Sequence, residues 1–285
     1  MSVKKEAVGL DNLFSSEKLN TKLLDKYIWI LALPSLIELM LATVFGMVDM
    51  IMVGNVSTAS LAAVGISNQP MMLILSVFQA LNVGTTALVA RVMGTGDRRS
   101  SRLVLRQTLI LAAIFGASTS LIGFLFARRI VVFMGAKPDV IPLATSYFGI
   151  VASGAFFVAI TMGITAALRG VGDTVSPMKY NIIANLINVF GNYVLIYGKF
   201  GFPAMGVTGA ALSTTISRGL GMLMAFYAVR RPGSIFSGFR VLKLKVDVGL
   251  MKRILRIGFP SGLEQLALRT GQIEFARTAA SLGTM

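Results

Sequence analysis

Seven stretches of this chain are each long and apolar enough to cross a bilayer as a helix. They cover residues 27–53, 61–90, 103–126, 140–168, 178–198, 206–229 and, less cleanly, 254–284. A hydrocarbon core of about 30 Å needs about 20 apolar residues at 1.5 Å per residue. Lipid offers the backbone no hydrogen bonds, so such runs fold as helices. Strands of a membrane barrel would show roughly ten-residue alternating segments instead. The runs therefore predict an all-α polytopic membrane protein: a six-helix transmembrane lobe and the start of a second lobe.

Composition agrees: 14% of residues are charged and mean hydropathy is +0.76, against about 25% charged in soluble domains. With no Cys and no His, disulfides, thiolate nucleophiles, His metal sites and His proton relays are excluded. The scattered Asp and Glu residues assemble no nucleophile–base pair, so an enzyme is not expected, and no cofactor is implied. The net charge of +15 reads as topology rather than nucleic-acid binding. Of the 27 Lys and Arg, 20 fall before the first run or in alternate connections, including Arg91–Arg106 and the eight between Arg230 and Arg256. Only Arg128, Arg129, Lys137 and Lys199 fall on the other side, and Arg218, Arg269 and Arg277 lie within runs. The positive-inside rule then places the N-terminus in the cytoplasm of a multi-pass plasma or inner-membrane protein. The first run is too long and too far from Met1 for a cleavable signal peptide.

Residues 1–26 read as a cytoplasmic segment, 27–230 as the first lobe, 231–249 as a basic cytoplasmic linker and 250–285 as an incomplete second lobe. An internal repeat supports this division. "LPSLIELM" (33–40) matches "FPSGLEQL" (259–266), aligning Pro34 with Pro260 and Glu38 with Glu264, and transporters are often built from repeats. The turns "GTGDRR" (94–99) and "GVGDTVSP" (170–177) lack the third glycine or the Lys-Ser/Thr of nucleotide loops. They read as tight turns with Asp97 and Asp173 as helix caps.

Charged and polar groups inside the runs carry the chemistry. Glu38 and Asp49 stand eleven residues apart, about 20° past three full turns and about 16 Å along the axis. They share one face of the first span, Glu38 near mid-membrane and Asp49 towards the outside. In the fifth span Asn181, Asn185, Asn188 and Asn192 are spaced 4, 3 and 4, again one face. Interhelical hydrogen bonding explains Asn181 and Asn185 as well as function does. Asn188 and Asn192 reach the level of Asp49, where the fourth span brings Tyr147 and the sixth brings Thr208, Ser213 and Thr214. A carboxylate among amides and hydroxyls in low dielectric suits reversible binding of H⁺ or Na⁺, so Asp49, Asn188, Asn192, Tyr147 and Thr214 are candidates for cation coupling. No other metal is implied. Glu38, Asn185 and Gln79 are candidates for a substrate pathway, Glu38 being equally readable as a pair with Arg218. Met72, Phe78 and Met162 offer a pliable apolar lining, and Glu274 and Arg277 a neutralising i,i+3 pair.

Several segments together resemble the multidrug and toxic compound extrusion (MATE) family of secondary transporters. They are "PSLIELMLATVFGMVDMIMVGNVSTASLAAVGISNQP", "GTTALVARVMGTGDRR", "ALRGVGDTVSPMKYNIIANLINVFGNYVLIYGKFGFPAMGVTGAALSTTISR" and "IGFPSGLEQLALRTGQIEFARTAASLGT". The resemblance implies twelve helices in two lobes facing a central cavity, of which this chain carries the first lobe and part of helix 7. It also implies export of cationic, lipophilic compounds in exchange for H⁺ or Na⁺ by alternating access. Its expected partners are the bilayer, small cationic drug-like substrates, the coupling ion and the remaining lobe. Asp49 matches the family's helix-1 acid, and Asn188 and Asn192 its helix-5 pair, where some members have Asp at the second position. Tyr147 fits by position only. Leu268 stands where many members have a helix-7 Glu. A non-transporting membrane lobe that associates with other chains, and a lipid-linked glycan flippase of related architecture, are the alternative readings.

Overall fold

The computed structural model describes residues 21–237 and 246–282, with side chains over 25–237 and 246–272. The Glu274–Arg277 pair and residues 238–245 of the linker lie outside the described side chains. Among the described residues the chain is helical: α1 (Thr21–Gly54), α2 (Thr58–Gly94), α3 (Arg98–Leu125), α4 (Ala127–Phe133), α5 (Ile141–Ser153), α6 (Ala155–Gly170), α7 (Val175–Tyr197), α8 (Gly206–Arg230) and α9 (Val248–Leu282). Over the described residues every apolar run falls on helix. Three helices, over residues 25–54, 58–94 and 98–125, are long and apolar enough to span a membrane, and the bent pair α5–α6 makes a fourth. α7 and α8 are long enough at 23 and 25 residues, but their Asn, Gly, Ser and Thr residues dilute them. Their polar faces turn inward, as the site below shows.

The fourth span is not one helix, as its unbroken apolar run suggested. It breaks at Gly154 with a bend of 41°. There the Gly154 N–H bonds back to Val151 O at 3.2 Å rather than to Ile150 O. The freed Ile150 carbonyl accepts instead from Ser153 Oγ at 2.6 Å and Thr215 Oγ1 at 3.1 Å, and the Phe156 N–H donates to Ser120 Oγ at 3.0 Å. Hydroxyls from neighbouring helices replace the helical ladder, a recognised cause of sharp kinks. α4, a short helix between the third and fourth spans, is likewise absent from the sequence reading.

The helices pack around two apolar cores. One joins α2, α3 and α6 to the end of α8 and the start of α9, with Leu88, Leu105, Ile164 and Ile254 all but fully buried. The other joins α4, α5 and the starts of α2 and α8, around Val131, Phe148 and Ala211. α9 lies closely on α2: a Cβ on Gly258 would stand within van der Waals overlap of the Ala80 carbonyl, and one on Gly84 within that of the Ile254 carbonyl. Only glycine permits that approach. α1 is held differently. It leans mainly on α7, and much of its surface, from Ile28 to Ile51, stays exposed.

Both expected turns form. Gly96 and Gly172 adopt φ of 73° and 84°, the left-handed region that glycine allows. Asp97 caps α3 by accepting from the N–H groups of Arg99 and Ser100, both at 3.0 Å. Asp173 accepts from Ser176 N–H at 2.9 Å and Ser176 Oγ–H at 2.7 Å, and meets Arg231 at 3.3 Å. The Ser100 hydroxyl, then the capping amides, hold the Asp97 carboxyl below its ordinary range. Because the folded value is depressed, the cap stabilises fully above the unfolded value and is lost as pH falls through the folded one. Asp97→Ala should therefore lower Tm at neutral pH, with the gap closing on acidification below the usual aspartate range. Circular-dichroism melts across pH check this, and a gap independent of pH would contradict it.

Candidate functional site

A cavity of about 400 Å³ opens between five helices. α1 supplies Glu38 and Asp49, α2 Gln79 and Asn82, and α6 Met162, Thr165 and Arg169. α7 supplies Asn181, Asn185 and Asn188, and α8 supplies Thr214, Ser217 and Arg218. The eleven-residue and 4-3-4 spacings thus put both carboxylates of α1 and three of the four asparagines of α7 on one surface.

At one end, Asn192 Nδ2 donates to Asp49 Oδ1 at 2.7 Å. Asn188 lies against the same carboxylate. With its amide turned to satisfy both ends, its nitrogen donates to Asp49 Oδ2 at 3.0 Å and Oδ1 at 3.1 Å, while its oxygen accepts from Thr214 Oγ1 and N–H at 3.2 Å. In the opposite orientation the nitrogen donates to Thr214 Oγ1 at 3.2 Å and its oxygen faces Asp49. The network decides such amide assignments. An ionised Asp49 demands the first orientation, and a protonated one, with a hydroxyl to donate, accepts the second. Ser213 Oγ donates to Asn188 O at 2.8 Å. Asn188 and Asn192 are 5% and 1% exposed, yet Asn192 Oδ1 has no partner, which is uncommon for a buried acceptor. Tyr147 is buried nearby and close enough to feel the charges of Asp49 and Arg218, but no described hydrogen bond joins it to Asp49. No described bond brings Thr208 into the cluster.

At the other end Glu38 does not pair with Arg218, as one reading expected. Its Oε2 meets Arg169 Nη2 at 3.0 Å, and its Oε1 accepts from Asn181 Nδ2 at 2.7 Å. The last turn of α6 carries Arg169 up to Glu38, whereas Arg218 on α8 makes no ion pair among the described residues. Asn181 is therefore interhelical in role. Asn185 donates to the Asn181 carbonyl at 2.9 Å and also lines the cavity. Gln79 lines it too and accepts from Asn82 at 3.4 Å. Of the three apolar candidates only Met162 lines the cavity. Phe78 is buried in the first core instead, and Met72 sits against Arg269 Nη1 at 3.6 Å.

Of the charged lining residues, Arg169 and Arg218 were not expected from the sequence as cavity groups, and neither were the neutral Asn82, Thr165 and Ser217. Arg169 was counted with the basic connections. The signal for it was its place at the end of an apolar run, one turn before a glycine turn.

α1 is tied to α7 by polar bonds at three levels: Asn181 to Glu38, Asn192 to Asp49 and Tyr197 Oη to the Met52 carbonyl at 2.9 Å. Two of the three end on a carboxylate, so the grip on α1 depends on charge.

The MatE family model matches residues 34–194, over half of the chain. A probable multidrug resistance protein NorM of Thermotoga maritima is 33% identical over 253 residues, covering 86% of this chain and 53% of that protein. Multidrug resistance protein PmpM of Pseudomonas aeruginosa is 33% identical over 187 residues, 65% of this chain and 39% of that protein. The chain spans about half the length of the first of these and of comparable curated relatives. An outward-facing multidrug resistance MATE family transporter superposes with TM-score 0.79 at 28% identity, covering 87% of this chain and 54% of that one. An inward-facing one gives 0.72 over 80% and 51%. The apolar helices, the α1 acid against the α7 asparagines and these likenesses agree: the chain is a polytopic membrane protein and belongs to the MATE (MatE) family.

Proposed function

We propose that this chain supplies the N-terminal lobe of a secondary multidrug antiporter, which exports cationic, lipophilic compounds in exchange for H⁺ or Na⁺ by alternating access. Residues 27–230 form that lobe, with the N-terminus cytoplasmic, 231–249 the inter-lobe linker and 250–285 the start of the second lobe. The observation that carries the reading is Asp49, an acid set between two buried asparagines at the wall of a 400 Å³ cavity. Its role is to bind and release one monovalent cation per cycle. Only one titratable acid stands in this cluster, since Asn192 occupies the position where some family members have Asp.

The surroundings suit either ion. A proton on Asp49 turns the Asn188 amide from donor to acceptor. Na⁺ needs several oxygens, and Asp49, the unpartnered Asn192 Oδ1 and the hydroxyl of Thr214 are candidates for its ligands, with Tyr147 close by. Among the described residues no group of three or more His, Cys, Asp or Glu exists to hold a harder metal site.

With Asp49 ionised the cavity offers a negative charge to a cationic compound. With the site neutralised that attraction is gone and the compound leaves. Glu38, Asn185 and Gln79 line the route. Ethidium efflux from cells expressing the full-length transporter, under separately imposed pH and Na⁺ gradients, tests this. Efflux is expected to follow one of the two gradients and to cease when that gradient is collapsed. Efflux that survives collapse of both, with ATP present, would overturn the reading.

A further inference from the structure

The cavity holds two guanidinium groups and two carboxylates, and they are not matched alike. Arg169 is neutralised by Glu38 at 3.0 Å. Arg218 makes no ion pair and no hydrogen bond among the described residues, and its Nη1 is buried without a partner. It lies in the middle of α8 among the lining residues, near enough to Asp49 and Tyr147 for its charge to be felt by both. A guanidinium with a buried nitrogen left unpartnered is costly, and its fork of donors matches carboxylate and sulfonate geometry. Beside it Ser217 and Asn185 offer neutral hydrogen-bonding groups, while Val158, Met162 and Ala184 offer an apolar surface. The volume suits a drug-sized molecule.

We propose that Arg218 is a receptor for the anionic group of an amphiphilic organic carboxylate or sulfonate whose apolar body rests on Val158 and Met162. This goes beyond the reading of cationic substrates and does not rest on it. The charge count of the cavity decides which ligands enter. With Asp49 ionised, its charge offsets that of Arg218. With Asp49 neutral, Arg218 is the one uncompensated charge among the lining residues, and the cavity prefers an anion. Cation binding at Asp49 thus favours an anionic ligand and disfavours a cationic one. A zwitterion, whose two charges cancel, is the compound least affected by the state of Asp49.

The test is binding to the purified chain in lipid nanodiscs, read by the intrinsic fluorescence of 2-naphthoate, of its uncharged methyl ester, and of ethidium. Arg218→Gln is expected to weaken 2-naphthoate by about tenfold or more, the scale of losing a charge-assisted pair, and to leave the ester unchanged. Arg218→Lys should retain part of the preference for the acid over the ester. Asp49→Asn, which keeps Arg218, should strengthen 2-naphthoate several-fold and weaken ethidium. Equal affinity of wild type and Arg218→Gln for 2-naphthoate overturns the proposal. Should Arg218→Gln lose acid and ester together, as an unfolded protein would, Asp49→Asn decides: no gain for 2-naphthoate sinks the proposal. The ethidium arm answers separately for the cationic reading, so either can fail while the other stands.

Discussion

Asp49→Asn in the full-length transporter should reduce gradient-driven ethidium efflux to the leak rate. The substitution is nearly isosteric, so helix packing and expression should be preserved. What changes is the charge. An amide cannot take up a proton and has half of a carboxylate's capacity to coordinate a cation. Asn192 Nδ2, which donates to Asp49 Oδ1 at 2.7 Å, would face an amide that still offers one acceptor, so the α1–α7 contact survives in weakened form. The Asn188 amide would be released from the choice that the charge of Asp49 imposes on it. A lobe locked in the neutral state cannot report which side the cation came from, and alternation loses its link to the gradient. Transport assays at matched expression check the result. Normal efflux would show that Asp49 only caps or packs the end of α1. A partial loss confined to one pH range, with Na⁺-driven efflux intact, would instead identify the coupling ion.

The parts of this molecule that were legible in its sequence are those fixed by local spacing. An apolar run longer than a bilayer is thick leaves a helix as its one outcome, and over the described residues all seven runs are helical, the fourth broken at Gly154. The faces of α1 and α7 followed from 100° per residue, so Asp49, Asn188 and Asn192 could be brought together without coordinates. Partners set by tertiary register were not legible. For Glu38 the sequence offered Arg218 as a partner and not Arg169. The choice of Arg169 depends on where α6 ends relative to α1, which apolar run length does not specify. The break at Gly154 was hidden because hydroxyls from α3 and α8, far away in sequence, take over the freed backbone groups. The unpaired state of Arg218 was hidden for the same reason: a charge is known to be free only when every candidate partner has been placed.

The Glu38–Arg169 pair should prove the most damaging contact to break from one side only. Glu38 accepts two charge-relevant bonds, from Arg169 at 3.0 Å and Asn181 at 2.7 Å, and so holds α1, α6 and α7 together. Its side chain is 14% exposed and that of Arg169 31%. Removing one member of a fully buried pair costs about 3–5 kcal/mol. An exposed pair is worth at most about 1 kcal/mol. This pair is half-open to the cavity and belongs between those limits, at about 2 kcal/mol for Glu38→Gln. The loss arises chiefly from Arg169, whose Nε already lacks a partner and whose charge would then stand alone. The double variant Glu38→Gln/Arg169→Gln removes both charges and should recover much of the stability. Thermal melts of wild type, both single variants and the double in the same detergent form a double-mutant cycle. A strong coupling with a rescued double establishes the pair as a clamp between helices. Additive losses would mean that Glu38 acts through Asn181, and that the guanidinium merely lies beside it.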